Sequence, residues 1–263
     1  MSKKVILITL GLVLFATMSL QAKDQKVLNV GMELAYPPFE MSTKDGKPSG
    51  VSVDLAKAIG KSIGRKVIIK NIAWDGLIPS LKTKKIDMII SSMTITKQRE
   101  KVVSFSIPYA KSDLALLVNP TSGVKSVEDL NHAGKVIAVK KGTTGNIYAI
   151  KHLKKAKTLI FDRENTAVLE VIQKRADAFI YDQLSVYREW EKHKKTTVVL
   201  LKPITKNPGY WGVAMRKNDK ELKAKVDAFI TQAKKDGTFD KLANKYLKNI
   251  KEKFTELDIP FFF

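Results

Sequence analysis

The stretch Ser91-Ser92-Met93-Thr94-Ile95-Thr96-Lys97-Gln98-Arg99-Glu100 gathers hydroxyls and a guanidinium within a few residues of one another. It follows the apolar run Ile86-Asp87-Met88-Ile89-Ile90, whose length and flanks suit a buried strand, so the hydroxyls emerge at that strand's carboxyl end. Open α/β sheets bind their ligands at that end. Thr96 can cap a short helical turn over residues 97–100, which would turn unpaired backbone N–H groups toward Ser91, Ser92 and Thr94. Arg99 lies close enough along the chain to return to the same spot, where its planar fork matches a carboxylate bidentately. The stretch therefore reads as a carboxylate cradle, set against the plainer reading of a strand, a polar turn and a solvated arginine.

A second candidate lies downstream. Residues 136–139 form a strand, Gly142-Thr143-Thr144-Gly145 a glycine-flanked hydroxyl loop, and residues 146–153 a helix opened by it, which again points backbone N–H groups at an anion. The loop lacks the trailing lysine and hydroxyl of a phosphate loop and the three spaced glycines of a dinucleotide fingerprint, so a nucleotide is not expected.

The two halves echo each other. Leu77-Ile78-Pro79-Ser80-Leu81-Lys82-Thr83-Lys84-Lys85-Ile86-Asp87-Met88-Ile89-Ile90-Ser91-Ser92 is matched by Val168-Leu169-Glu170-Val171-Ile172-Gln173-Lys174-Arg175-Ala176-Asp177-Ala178-Phe179-Ile180-Tyr181-Asp182. Both run from an amphipathic helix through a basic end and an aspartate to an apolar strand and a polar residue. Counted from Asp87 and Asp177, Ser92 and Asp182 hold the same place. Asp182 is thus the acidic counterpart of Arg99, or a helix cap for residues 183–190, and both readings fit.

The elements that must position these residues follow in order. A strand over 27–30 leads into Gly31-Met32-Glu33-Leu34-Ala35-Tyr36-Pro37-Pro38-Phe39, a loop that its paired prolines hold extended. A helix over 54–63 and a strand over 67–72 come next. Trp74 precedes the apolar stripe Leu77, Ile78 and Leu81, either as its first core member or as the wall of a pocket. Further strands are expected over 102–109, 114–118, 197–201 and 211–215, and helices over 220–234 and 240–250.

With 263 residues, 44% of them hydrophobic, the chain can build one large domain or two modest ones. Lys3 and Lys4, the apolar run over 5–15 and the small residues ending at Ala22 read as a secretory signal peptide cleaved near Ala22, because the run is shorter than the roughly 20 residues a membrane span needs. With no cysteine, neither a disulfide nor a lipid anchor is expected, which leaves a free periplasmic protein. The formal charge of +21 comes from lysines scattered through almost every segment, as solvated faces rather than a nucleic-acid patch. His132, His152 and His193 are dispersed without metal-ligand spacing.

Taken in order, Tyr36-Pro37-Pro38-Phe39-Glu40, the segment 50–56, the segment 74–87, the cradle, Gly142-Thr143-Thr144, Asp182 and Asp236-Gly237-Thr238-Phe239 resemble the periplasmic polar-amino-acid-binding proteins of ABC importers, over essentially the whole mature chain. The resemblance implies an α/β fold of the periplasmic-binding-protein kind, with two lobes joined by two hinge crossings near 110–113 and 207–212. The first lobe would comprise residues 23–111 and 210–263, and the second residues 112–209. Carried over by position, Arg99 with the backbone at Thr94 and Thr144 would bind a ligand carboxylate, and Ser92, Thr94 and Asp182 its ammonium. Glu33, Tyr36 and Trp74 would line the side-chain pocket, with Ser91 and Thr143 beside them in the two loops. Ser52 stands where many relatives carry an acidic residue, at a position not expected to touch ligand.

The implied function is capture of an L-amino acid between closing lobes and its delivery to an ABC transporter permease. A basic amino acid, lysine or arginine, is expected from Glu33 beside two aromatic faces, with an uncharged side chain as the alternative that aromatic faces also suit. No cofactor is expected, no nucleic acid, and a monomer. Two rivals share the fold: a cyclohexadienyl dehydratase-like enzyme, which would need a second carboxylate of raised pKa close to Asp182, and a periplasmic amino-acid sensor.

Overall fold

A computed structural model describes residues 27–263, so the expected signal peptide lies outside the described residues. Two five-stranded sheets organise the chain. The first runs Lys66–Asn71, Val27–Met32, Met88–Ile89, Ala214–Arg216, Val103–Phe105, and the second Lys157–Phe161, Val136–Lys140, Ala178–Asp182, Leu114–Val118, Val198–Leu200. In each, the first three strands are parallel and the fourth is antiparallel to both neighbours. These are the two α/β lobes, and the strands at the heart of each are buried on both faces, as parallel strands covered by helices must be. In the second, Ile137 and Val139 face one apolar cluster while Ala138 faces another.

The echo between the halves is structural. Asp87 accepts a bond from the Asn29 N–H at 2.9 Å, and Asp177 accepts one from the Val136 N–H at 2.7 Å. Each aspartate thereby fastens the second strand of its sheet, in the order given, to the third. Three residues before each, Lys84 and Lys174 adopt left-handed backbone at φ 63° and 61°, ending the preceding helices the same way.

The two expected crossings lie side by side. Ala110–Ser112 pairs antiparallel with Gly209–Trp211, Ser112 opposite Gly209 and Ala110 opposite Trp211. The expected single strand over 211–215 is in fact two, because Trp211 belongs to this ribbon and Ala214 to the first sheet. Gly212 makes the transition: a Cβ there would stand 2.9 Å from the Ile95 side chain.

Other departures have local causes. Part of the expected loop 31–39 is sheet: Val27–Met32 runs on through Gly31, and Ala35–Tyr36 pairs with Glu40–Ser42, which pairs with Pro48–Ser49. Lys157–Phe161, unforeseen, is an edge strand whose Lys157 and Ile160 are exposed, so it carries little apolar alternation. The single helix expected over 240–250 is two, Thr238–Tyr246 and Lys248–Glu256, meeting at Leu247, which is wholly buried.

The terminal phenylalanines dock on the first lobe. Phe262 stacks on Trp211 at 5.7 Å between ring centroids and meets Phe39 edge-on at 5.0 Å, and its carbonyl accepts from the Lys111 N–H at 2.8 Å. The tail is thus part of the core that holds the hinge ribbon. Phe262→Ala is expected to lower stability by about 3 kcal/mol, the usual cost of emptying a buried aromatic site. Urea unfolding measures this, and a loss below about 1 kcal/mol would show the tail to be peripheral.

Candidate functional site

The carboxyl ends of the two sheets face one another across a cavity of about 260 Å³. Strand Met88–Ile89 delivers Ser91 and Ser92 to its wall, and strand Ala178–Asp182 delivers Tyr181 and Asp182. Glu33, Tyr36, Trp74, Ser91, Ser92, Thr94, Arg99, Thr143, Thr144 and Asp182 all line this one cavity.

Arg99 is held from both sides. Thr96 caps the turn Lys97–Glu100, its hydroxyl accepting from the Arg99 N–H at 3.2 Å, as the cradle requires. The guanidinium donates to the Thr94 carbonyl at 2.6 Å and, across the cleft, to the Gly142 carbonyl at 3.0 Å. It lies 5.2 Å from the centre of the Trp74 ring. Arg99 is 6% exposed, and no carboxylate among the described residues lies within 4 Å of it. Burial lowers its pKa to about 10, which still leaves it charged at neutral pH. Trp74 opens a short 3-10 turn and reconciles its two readings, since it packs against the first lobe's apolar cluster while lining the cavity.

Asp182 likewise does two things. It caps the helix Gln183–Lys192 by accepting from the Ser185 N–H at 3.0 Å, and it accepts from the Tyr36 hydroxyl at 2.7 Å across the cleft. Burial is the main cause that raises its pKa. Thr143 caps the helix Thr144–His152 in the same manner, and the Gly142 N–H donates to the Asn146 side-chain Oδ1 at 3.0 Å.

Two polar residues of the site were missed. Glu40, 1% exposed, accepts from Ser52 at 2.6 Å and Ser92 at 3.1 Å and stands 3.4 Å from the Ser91 hydroxyl. Ser52 itself does not line the cavity; it supports the residue that does. Ser92 reaches Glu40 from left-handed backbone at φ 48°, a conformation that costs about 1 kcal/mol. Lys140, the last residue of Val136–Lys140, is buried and donates to Glu33 across the cleft, with its ammonium 5.9 Å from the Trp74 ring centre. The available signals were a carboxylate directly after Pro37-Pro38-Phe39 and a lysine closing an apolar strand before the Gly142 loop. Thr205, Asn207, Pro208, Gly209 and Trp211 also line the cavity, brought there by the second crossing.

A second carboxyl does stand near Asp182. Glu164 is pushed up to about 7, by burial first and by the charge of Asp182 second. It is not among the cavity-lining residues, so it has no access to a molecule held there.

Residues 28–249 match the family model of the bacterial extracellular solute-binding proteins, family 3. Among curated relatives, the ABC transporter arginine-binding protein 1 of Escherichia coli (strain K12) is 32% identical over 237 residues, covering 89% of this chain and 96% of that protein. Among solved structures, an ancestral arginine-binding protein bound to arginine is 35% identical with a TM-score of 0.77, covering 85% of this chain and 99% of its own. An ancestral arginine-binding protein bound to glutamine is 35% identical with a TM-score of 0.75, covering 85% of this chain and 98% of its own. The ancestral amino-acid-binding protein AncCDT-1, a precursor of cyclohexadienyl dehydratase, is 39% identical with a TM-score of 0.74, covering 84% and 94%.

The Glu40 carboxyl gives the site a pH dependence. Burial pushes it from 4.5 to about 8, against the opposing bonds from Ser52, Ser92 and Ser91. The folded protein holds this proton where the unfolded chain has released it, so the stability it carries is full below 4.5 and is lost as pH rises through about 8. Melting temperature is therefore expected to fall from pH 5 to 8.5 in the wild type and to fall less in Glu40→Gln. Equal slopes in the two proteins would contradict this assignment.

Proposed function

The chain belongs to the bacterial extracellular solute-binding proteins of family 3, and on that footing we propose that it captures a polar L-amino acid between two closing lobes and hands it to an ABC transporter permease. That it is an amino-acid-binding protein of the ABC transport family follows from its relatives; the partition into residues 23–111 with 210–263 and residues 112–209, the closure, the cleaved export signal and the periplasmic monomer are part of the proposal.

One observation carries it: a buried, charged Arg99 that lines the cleft without a carboxylate of its own. An uncompensated buried charge costs several kcal/mol, and a ligand carboxylate would remove that cost. Opposite it, Asp182 and the Ser92 and Thr94 hydroxyls suit an ammonium, so a zwitterion spans the cleft with both ends satisfied. Because Arg99 and Asp182 belong to different lobes, such a ligand favours the closed form by its differential affinity for it. Permease engagement of that closed form completes the transport cycle.

Two readings of the ligand's side chain have support. The names of the arginine-binding relatives and the grouping of Glu33, Tyr36 and Trp74 favour a cationic one. The Lys140 ammonium already bonded to Glu33 favours an uncharged one, as does an ancestral arginine-binding protein captured with glutamine. The dehydratase reading is disfavoured by the position of Glu164 outside the cavity lining.

Arg99→Ala is expected to weaken binding of every amino acid by more than about 100-fold, as losing one member of a buried charge pair does, while leaving the circular dichroism spectrum intact. Calorimetric titration against an amino-acid panel checks this. Affinity kept within a few-fold would refute the site, and turnover of prephenate or arogenate by the wild type, absent from the variant, would restore the enzyme reading.

A further inference from the structure

We infer that Lys140, by neutralising Glu33, sets the side-chain preference of the cleft, selecting an uncharged side chain that carries a donor, a carboxamide, over a cationic one. The inference rests on the reading of the cleft as an amino-acid site.

Lys140 is placed by the fold rather than by chance orientation. It is the last residue of the strand Val136–Lys140, next to the centre of its sheet, and its side chain is 4% exposed. Its ammonium bonds Glu33 of the opposite lobe and stands near the same Trp74 ring that Arg99 covers. It therefore occupies the two features, a carboxylate and an aromatic face, that a cationic ligand side chain would seek.

The charges around the cleft decide between the alternatives. Arg99 and Lys140 are positive, and Glu33 and Asp182 are the facing acids. Glu40, held up to about 8 by burial, is neutral at neutral pH and adds no negative charge to the cleft. Behind the cleft Glu164 and Arg188 are of opposite sign and act on each other. The α-carboxylate and α-ammonium of a ligand add no net charge. A ligand guanidinium or ammonium would add a cation beside two others in a desolvated space. Glu33 is already neutralised by Lys140, so a second cation there would gain too little attraction to offset its own desolvation. A carboxamide brings no charge to desolvate, and its NH₂ can donate to Glu33, which lines the cavity, while the ion pair behind it stays in place.

The test uses the full chain, freed of bound amino acid by unfolding and refolding, titrated calorimetrically with glutamine, arginine and lysine. Wild type is expected to bind glutamine at least about tenfold more tightly than arginine or lysine, the worth of a hydrogen bond to a charged group. Lys140→Met, which keeps the length and removes the charge, should reverse the order by freeing Glu33. Should that variant not fold, the wild-type order alone decides. Arginine or lysine bound more tightly than glutamine by the wild type overturns the role of Lys140 while leaving the amino-acid site standing, provided Arg99→Ala still abolishes binding. An unchanged order in folded Lys140→Met also overturns it. Failure of all three ligands to bind the wild type overturns the amino-acid reading and this inference with it.

Discussion

A guanidinium buried without a carboxylate is the constraint on which the arrangement of the two lobes depends. Arg99 is satisfied for hydrogen bonds by one carbonyl from its own lobe and one from the other, yet carbonyl dipoles do not cancel its charge. Two other ionisable groups at the cleft are likewise met from across it, Lys140 by Glu33 and Asp182 by Tyr36. Closing the lobes removes water from all of them at once. The closed form is thus balanced between desolvation, which opposes it, and cross-cleft bonds, which favour it, and that balance is what a small zwitterion can tip.

The fold brings these groups together by using one device twice. In each sheet an aspartate ties the second strand to the third, and the third strand then releases polar residues at its carboxyl end. The two ends meet with unlike chemistry: hydroxyls and a guanidinium on one side, a carboxylate on the other. Lobes of equal plan can therefore form a site with polarity, able to tell the two ends of a ligand apart.

Much of this was legible because it rests on short-range pattern. The Ile86 run, the Thr96 cap, the Gly142 loop and the paired Asp87 and Asp177 segments are local signals, and the structure places all ten candidate site residues on one cavity. Lys140 and Glu40 were not legible in the same way. In a chain with so many lysines, one more after an apolar strand looks like a solvated end, and only the pairing of Val136–Lys140 inside its sheet buries it. Glu40 follows a proline pair that reads as surface loop, and its burial depends on Ser52 and Ser92 from distant elements. The break at Leu247 has no glycine or proline to announce it, and the edge strand Lys157–Phe161 has too little buried surface to leave an alternation.

The hinge ribbon also determines how the polypeptide is threaded. Ser112 and Gly209 are register partners, so the chain departs for the second sheet and returns from it at neighbouring points. Topologically the whole segment between them is an insertion into a host that is otherwise completed by Ala214–Arg216 and the helices after it. The host cannot close its own sheet until the insert has been synthesised, whereas every strand of the insert's sheet is contiguous in sequence. During vectorial synthesis the second lobe is consequently the first to have all its strands in hand, and the first lobe the last.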